Sequence, residues 1–322
     1  MTAAVPDASS TGLDPGGGIL ATATLLTFLR PSAWVVALAG FLARGGVILV
    51  VAPIVVVPSL SGLVTAFGPL VNRLVLGGFD PEIVVTALIV IVAIAVAIVL
   101  LLLIGGTVDG WMIGHAAADL GVEVPSGARP TAARLAVARL IAHAPLVVAF
   151  IMLLGPVVTV TYDELLVPGD LGTPVFLRVA ASIPVPIAIV VIAAVLCDAL
   201  GALAVRAIAL GGASVAGSIP RGLSTIVRRP IDVAIALVAS LVVLVVLVAP
   251  ALIAAGVAFD GLGRLLADDA GAPTILAAVV LLVGSWLGGL LLAGIAGAWR
   301  SYAWTCVHVR AATMPSEPSR GW

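Results

Sequence analysis

Lysine is absent from this chain of 322 residues, so all 15 of its basic side chains are arginine. Charge of either sign is scarce, at 10% of residues where soluble domains carry about 25%. With 62% apolar residues and a mean hydropathy of +1.30, no water-soluble fold of this length could hide its apolar surface. The two cysteines, Cys197 and Cys306, stand alone, which excludes a disulfide framework or a cysteine metal site. His115, His143 and His308 are dispersed, with no second ligand at metal spacing. Zinc-protease, serine-hydrolase and nucleotide-loop patterns are all missing, so neither a cofactor nor an enzymatic activity is expected. Arginine without lysine, beside abundant Ala, Val, Leu and Gly, reads as the codon usage of a GC-rich bacterium.

What the chain has is long apolar runs. From Ile83 to Ile104 nothing is more polar than Thr86, and at about 1.5 Å per residue this stretch just crosses a bilayer. Comparable windows fall near Gly46 to Ser61, Pro145 to Val160, Val179 to Val205, Ile231 to Val257 and Ile275 to Ala298. The fold class expected is all-α, a polytopic transmembrane bundle of about six spans. Residues 1–30 read as a flexible tail with a short apolar segment, Ile19 to Leu29, and residues 312–322 as a disordered tail. The first cation is Arg30, which reads against a cleaved leader peptide.

The six spans group into three. Pro31-Ser-Ala-Trp, Pro130-Thr-Ala-Ala and Pro220-Arg-Gly-Leu each open a short arm, and proline suits a first helical turn. Each arm leads to a polar or breaking cluster: Arg44-Gly-Gly, His143-Ala-Pro, and Arg228-Arg-Pro with Asp232. From each opening proline to the one before the next apolar helix is 50, 54 and 53 residues. We therefore read three tandem helical hairpins, near residues 31–129, 130–219 and 220–311, each with an interfacial amphipathic arm. The connections Pro58 to Glu82, Pro156 to Arg178 and Gly256 to Pro273 hold three arginines against eight acids, and the rest of the chain twelve against eight. The arginine excess predicts both termini on the cytoplasmic side of a multi-pass cell-membrane protein.

The arms supply the candidate lipid contacts. Arg221, Ser224, Thr225 and Arg228 recur at helical spacing on one face, with Leu223, Ile226 and Val227 on the other, and Arg229 follows. In the second arm Arg134, Arg139 and His143 alternate with Leu135, Leu140 and Ile141. These guanidinium groups are expected to reach phosphates of anionic membrane lipids, and the first span is placed so that Arg44 does the same. Asp198 and Asp109 lie at membrane depth, each 30 residues ahead of an arginine, Arg228 and Arg139 respectively. That layout predicts ion pairs fastening one hairpin to the next arm; the functional alternative is a proton or substrate relay from Asp198 to His143 or Asp232. Trp299, Tyr302 and Trp304 beside Arg300 read as an aromatic belt at the inner headgroups. Glycine pairs such as Gly105-Gly106, Gly211-Gly212 and Gly288-Gly289 mark bends or close helix contacts.

Six spans, proline-opened arms and the phrase Ile219-Pro-Arg-Gly-Leu running into Arg228-Arg-Pro-Ile-Asp make the chain resemble a broad set of bacterial integral membrane proteins. It looks most like the membrane region attached to some glycerophosphodiester phosphodiesterases. The resemblance rests on layout over roughly Pro31 to Ala311; with only four Glu and no metal-binding cluster, the catalytic domain of those enzymes is not expected here and no activity carries over. The function expected is that of a non-enzymatic scaffold, regulator or lipid-organising protein; the alternative is a small-solute or proton-coupled transporter. Membrane lipids, and a protein the sequence does not specify, are the expected partners, with no nucleic acid among them.

Overall fold

The computed structural model describes residues 18–51, 81–122, 130–166, 173 and 175–313. Among these the chain is all-helical. Its helices are α1 (Ile19–Leu29), α2 (Ser32–Val51, interrupted by a π turn), α3 (Pro81–Asp119), α4 (Ala132–Leu166), α5 (Val175–Ser182), α6 (Pro184–Ala209), α7 (Val215–Arg228), α8 (Pro230–Ala267) and α9 (Ala272–Thr313). Six of them, α2, α3, α4, α6, α8 and α9, are long and apolar enough to cross a membrane, so this is a multi-pass membrane protein. The sequence tails 1–17 and 314–322, and Ala52 to Ser61 of the first expected span, lie outside the described residues.

Several boundaries differ from the sequence expectation, each for a local reason. Ile19 to Leu29 is a packed helix, with Ile19, Ala23, Leu26 and Thr27 buried. The span expected from Val179 begins instead at Pro184, because proline disfavours helical geometry at Ile183 (φ −125°, ψ 47°) and then opens α6. The second arm is no separate element: Ala132–Leu166 is one helix running through Pro145 and Pro156. Helix α8 likewise runs through Pro250 and Gly256 to Ala267. Prolines that would end a helix in water persist in apolar helices, where the freed carbonyls find other partners.

The three arms meet their spans differently. In the first, a wide turn at Leu42–Gly46 breaks α2, with Gly45 at φ 95°, a backbone state open to glycine. The second continues straight into its span. The third, α7, is capped at its start by Ser214, whose hydroxyl accepts from the Gly217 N–H at 3.1 Å, and stops at Arg229 before Pro230. Helix α3 ends in a Schellman turn, in which Val122 N–H reaches the Ala117 carbonyl and Gly121 takes φ 67°.

The chain divides into two compact units. One is made of Trp34–Gly105 and Val243–Gly297. In it the apolar part of α3 is exposed from Val84 to Val99, the expected state of a rod solvated by lipid. Here α2 and α9 approach closely: Trp34 O lies 2.5 Å from where a Gly294 side chain would begin, and Trp286 donates to the Val50 carbonyl at 3.0 Å.

The other unit is made of Met1–Ala33, Gly106–Val242 and Ala298–Trp322. It holds a core formed by Ile113, Leu135, Ala138, Val205, Ala207, Ile208, Ala209 and Ala213. On α6, every residue from Cys197 to Ala209 except Asp198 and Leu200 is buried. Helix α6 packs against both α4 and α7. Alanine and glycine at these positions let the backbones close in, and the same stretch carries Asp198 and Arg206.

Candidate functional site

Several charged residues of this second unit pair with one another across its helices. Arg139 on α4 sits 3.1 Å from Asp109 on α3, both side chains largely buried, which is the pairing that the 30-residue spacing predicts. Asp198 does not pair with Arg228; it is held by Arg300 on α9, and that pair is about one-third exposed at 34% and 38%. Arg228 is exposed instead. Asp232 lies 4.0 Å from Arg310 near the end of α9. Asp119 accepts from Arg30 at 2.8 Å and from the Tyr302 hydroxyl at 3.2 Å, fastening the N-terminal segment to α3 and α9.

His143 lies among these groups. Its Nδ1 is 2.8 Å from the Arg139 carbonyl, and its ring edge fills the space left by Gly201, one turn beyond Asp198 on α6. The charges of Arg139, Asp198 and Arg300 all act on it. The site is therefore a cluster of two carboxylates, two guanidiniums and one imidazole from α3, α4, α6 and α9. Asp232 is engaged by Arg310, so of the two relay partners considered for Asp198 the fold brings up His143.

A second arginine escaped the sequence reading. Arg206 is 4% exposed. Its Nη1 donates to Ala202 O at 2.8 Å, its Nη2 to Ser301 O at 2.8 Å, and its Nε to the Thr305 hydroxyl at 3.1 Å. It thus joins α6 to α9 through its fork of donors. The aromatic belt is also corrected: Trp299, Tyr302 and Trp304 are buried, Trp299 donating to the Thr24 hydroxyl at 3.0 Å. Aromatic residues with polar tips serve a protein core as well as a headgroup layer when partners are within reach.

The candidate lipid contacts separate by arm. Arg139 faces the protein, and Arg134 donates to the Ala213 carbonyl at 3.2 Å, so the second arm turns its cations to the core or the neighbouring turn. Its apolar side, Val137, Leu140 and Ile141, is exposed. Arg44 does not open its span as expected; it lies on the π turn inside Ser32–Val51, exposed and beside Gly105. Only α7 keeps the expected division of faces, although it opens at Val215, so Pro220 lies inside the helix and not at its first turn as expected. Gly222 packs on α6 and Ser218 is buried, Leu223 and Val227 are exposed at 53% and 71%, and Arg221 and Arg228 stand exposed beside them. Arg229 is half-buried at the end of the arm. At the opposite end of α4, Glu164 pairs with Arg178 at 2.7 Å.

A double-mutant cycle weighs the two central pairs. Alanine at Asp109 and Arg139 should show a coupling of roughly 1–3 kcal/mol in SDS-induced unfolding. The Asp198 and Arg300 cycle should give the smaller value, because water screens a pair that is one-third exposed.

Among the described residues no three His, Cys, Asp or Glu side chains gather to hold a metal ion. Compared with family models, curated proteins and solved structures, the chain matches none.

Proposed function

We propose that this chain is a non-enzymatic protein of the cytoplasmic membrane, with both termini inside, which acts as a scaffold or lipid-organising element by gripping anionic lipids with α7. One observation carries the reading: α7 has three sectors, buried small residues, an exposed apolar strip at Leu223 and Val227, and an exposed pair of arginines one heptad apart, Arg221 and Arg228. A helix so built lies in the interface, its apolar strip at acyl-chain level and its guanidiniums on lipid phosphates. The inward-turned arginines of the second arm support α7 as the dedicated contact.

The test is lipid selectivity of the full chain in nanodiscs, read as retention of phosphatidylglycerol over phosphatidylcholine by native mass spectrometry. At about 1 kcal/mol per arginine near an anionic surface, Arg221→Ala with Arg228→Ala should reduce that preference roughly tenfold or more, and lysine at both positions should keep most of it. An unchanged preference in the alanine variant refutes the reading.

A further inference from the structure

We infer that His143 is a proton-binding site whose charged ring draws Asp198 away from Arg300. A carbonyl oxygen only accepts, so the ring nitrogen 2.8 Å from Arg139 O carries a hydrogen, and neutral His143 is the Nδ1–H tautomer. Nε2 is then the one place for a second proton, and taking it leaves the Nδ1–H bond to Arg139 O intact.

The surroundings give that proton a consequence. The charges acting on the ring are those of Arg139 from α4 itself, Asp198 from α6 and Arg300 from α9, with Asp109 of α3 paired to Arg139; Cys197 beside Asp198 is a buried thiol. With His143 neutral, two carboxylates balance two guanidiniums. A proton on Nε2 leaves one positive charge in excess among groups partly withdrawn from water, where like charges repel strongly. Asp109 is held by the more buried pair, so Asp198, on the neighbouring turn to the His143 notch, is the carboxylate within reach. Arg300 is the cation able to yield, since it is one-third exposed and can swing toward water. The ring seat depends on Gly201, where a methyl would start 2.9 Å from His143 Cε1. This inference is independent of the lipid contact at α7.

Solid-state NMR of the full chain in lipid bilayers, labelled with ¹⁵N-histidine and ¹⁵N-arginine, tests it. The expected result is an Nδ1–H ring for His143 at high pH that becomes doubly protonated on acidification, with the Arg300 guanidinium signals moving along the same curve. In His143→Gln, checked for folding by circular dichroism, the Arg300 signals should lose that pH dependence. Should the variant not fold, the wild-type spectra decide alone. An Nδ1 without hydrogen at high pH, a ring that takes no second proton, or Arg300 signals that stay fixed while His143 titrates would each overturn the inference.

Discussion

Arg206→Ala is expected to be the most destabilising single substitution in the charged unit. The side chain is 4% exposed and ties Ala202 O on its own helix to Ser301 O and the Thr305 hydroxyl on α9. Hydrogen bonds from a charged donor contribute about 1.5–3 kcal/mol each, and they do not add fully because all leave one guanidinium. Truncation also opens a void against Ala202 and its neighbours, which are close-packed. The loss should be roughly 3–5 kcal/mol, measured as the shift in SDS-induced unfolding of the detergent-solubilised protein. Arg206→Lys should fall between, since a single ammonium cannot span both helices as the planar fork does. An alanine variant as stable as the wild type would mean that the bonds between α6 and α9 contribute nothing to the fold.

Gly106→Ala should be the second large effect, and its origin is steric. A side-chain carbon at Gly106 would sit 2.3 Å from the Ala132 carbonyl oxygen and 3.1 Å from its carbon, backbone atoms at the start of α4 that cannot rotate away. Helices α3 and α4 would have to move apart, weakening the contact that lets Asp109 meet Arg139. Overpacking of this kind costs about 1–3 kcal/mol, and here the upper part of the range is expected because the obstacle is main chain. Gly114 on the same helix is the control, with open space at the same point. Gly114→Ala should stabilise by about 0.5–1 kcal/mol through helix propensity alone. Equal effects at the two glycines would show that the close approach at Gly106 is not needed.

The parts legible in the sequence are those written locally. Hydropathy over twenty residues marked the spans, since lipid selects on composition at every position along a rod. The Asp109 and Arg139 pair was legible because both lie at matched places in one hairpin-to-arm connection. Asp198 and Arg300 are 102 residues apart, and no periodicity joins them. The second arm was misread for a related reason: alternating charged and apolar residues describe a two-faced helix but not which face meets protein. In water the apolar face turns inward; here Leu135 and the small Ala138 and Ala142 do so, Arg139 turns inward with them, and Val137, Leu140 and Ile141 face out. Trp299, Tyr302 and Trp304 were misplaced for the same reason, because the sequence does not say whether lipid or protein surrounds them. Prolines 145 and 156 hid the length of α4, being read by rules that hold for helices in water.

The central claim is that lipid solvates the outer apolar faces, including that of the second arm, while the charges of that arm are spent within the protein. Spin labels at Val92, Val137, Ile141 and Val227 of the liposome-reconstituted chain test it through collision with oxygen against collision with a water-soluble nickel chelate. The account predicts that oxygen dominates at all four positions, most strongly at Val92. Dominance of the nickel chelate at Val137 and Ile141 would put the second arm in water and contradict it.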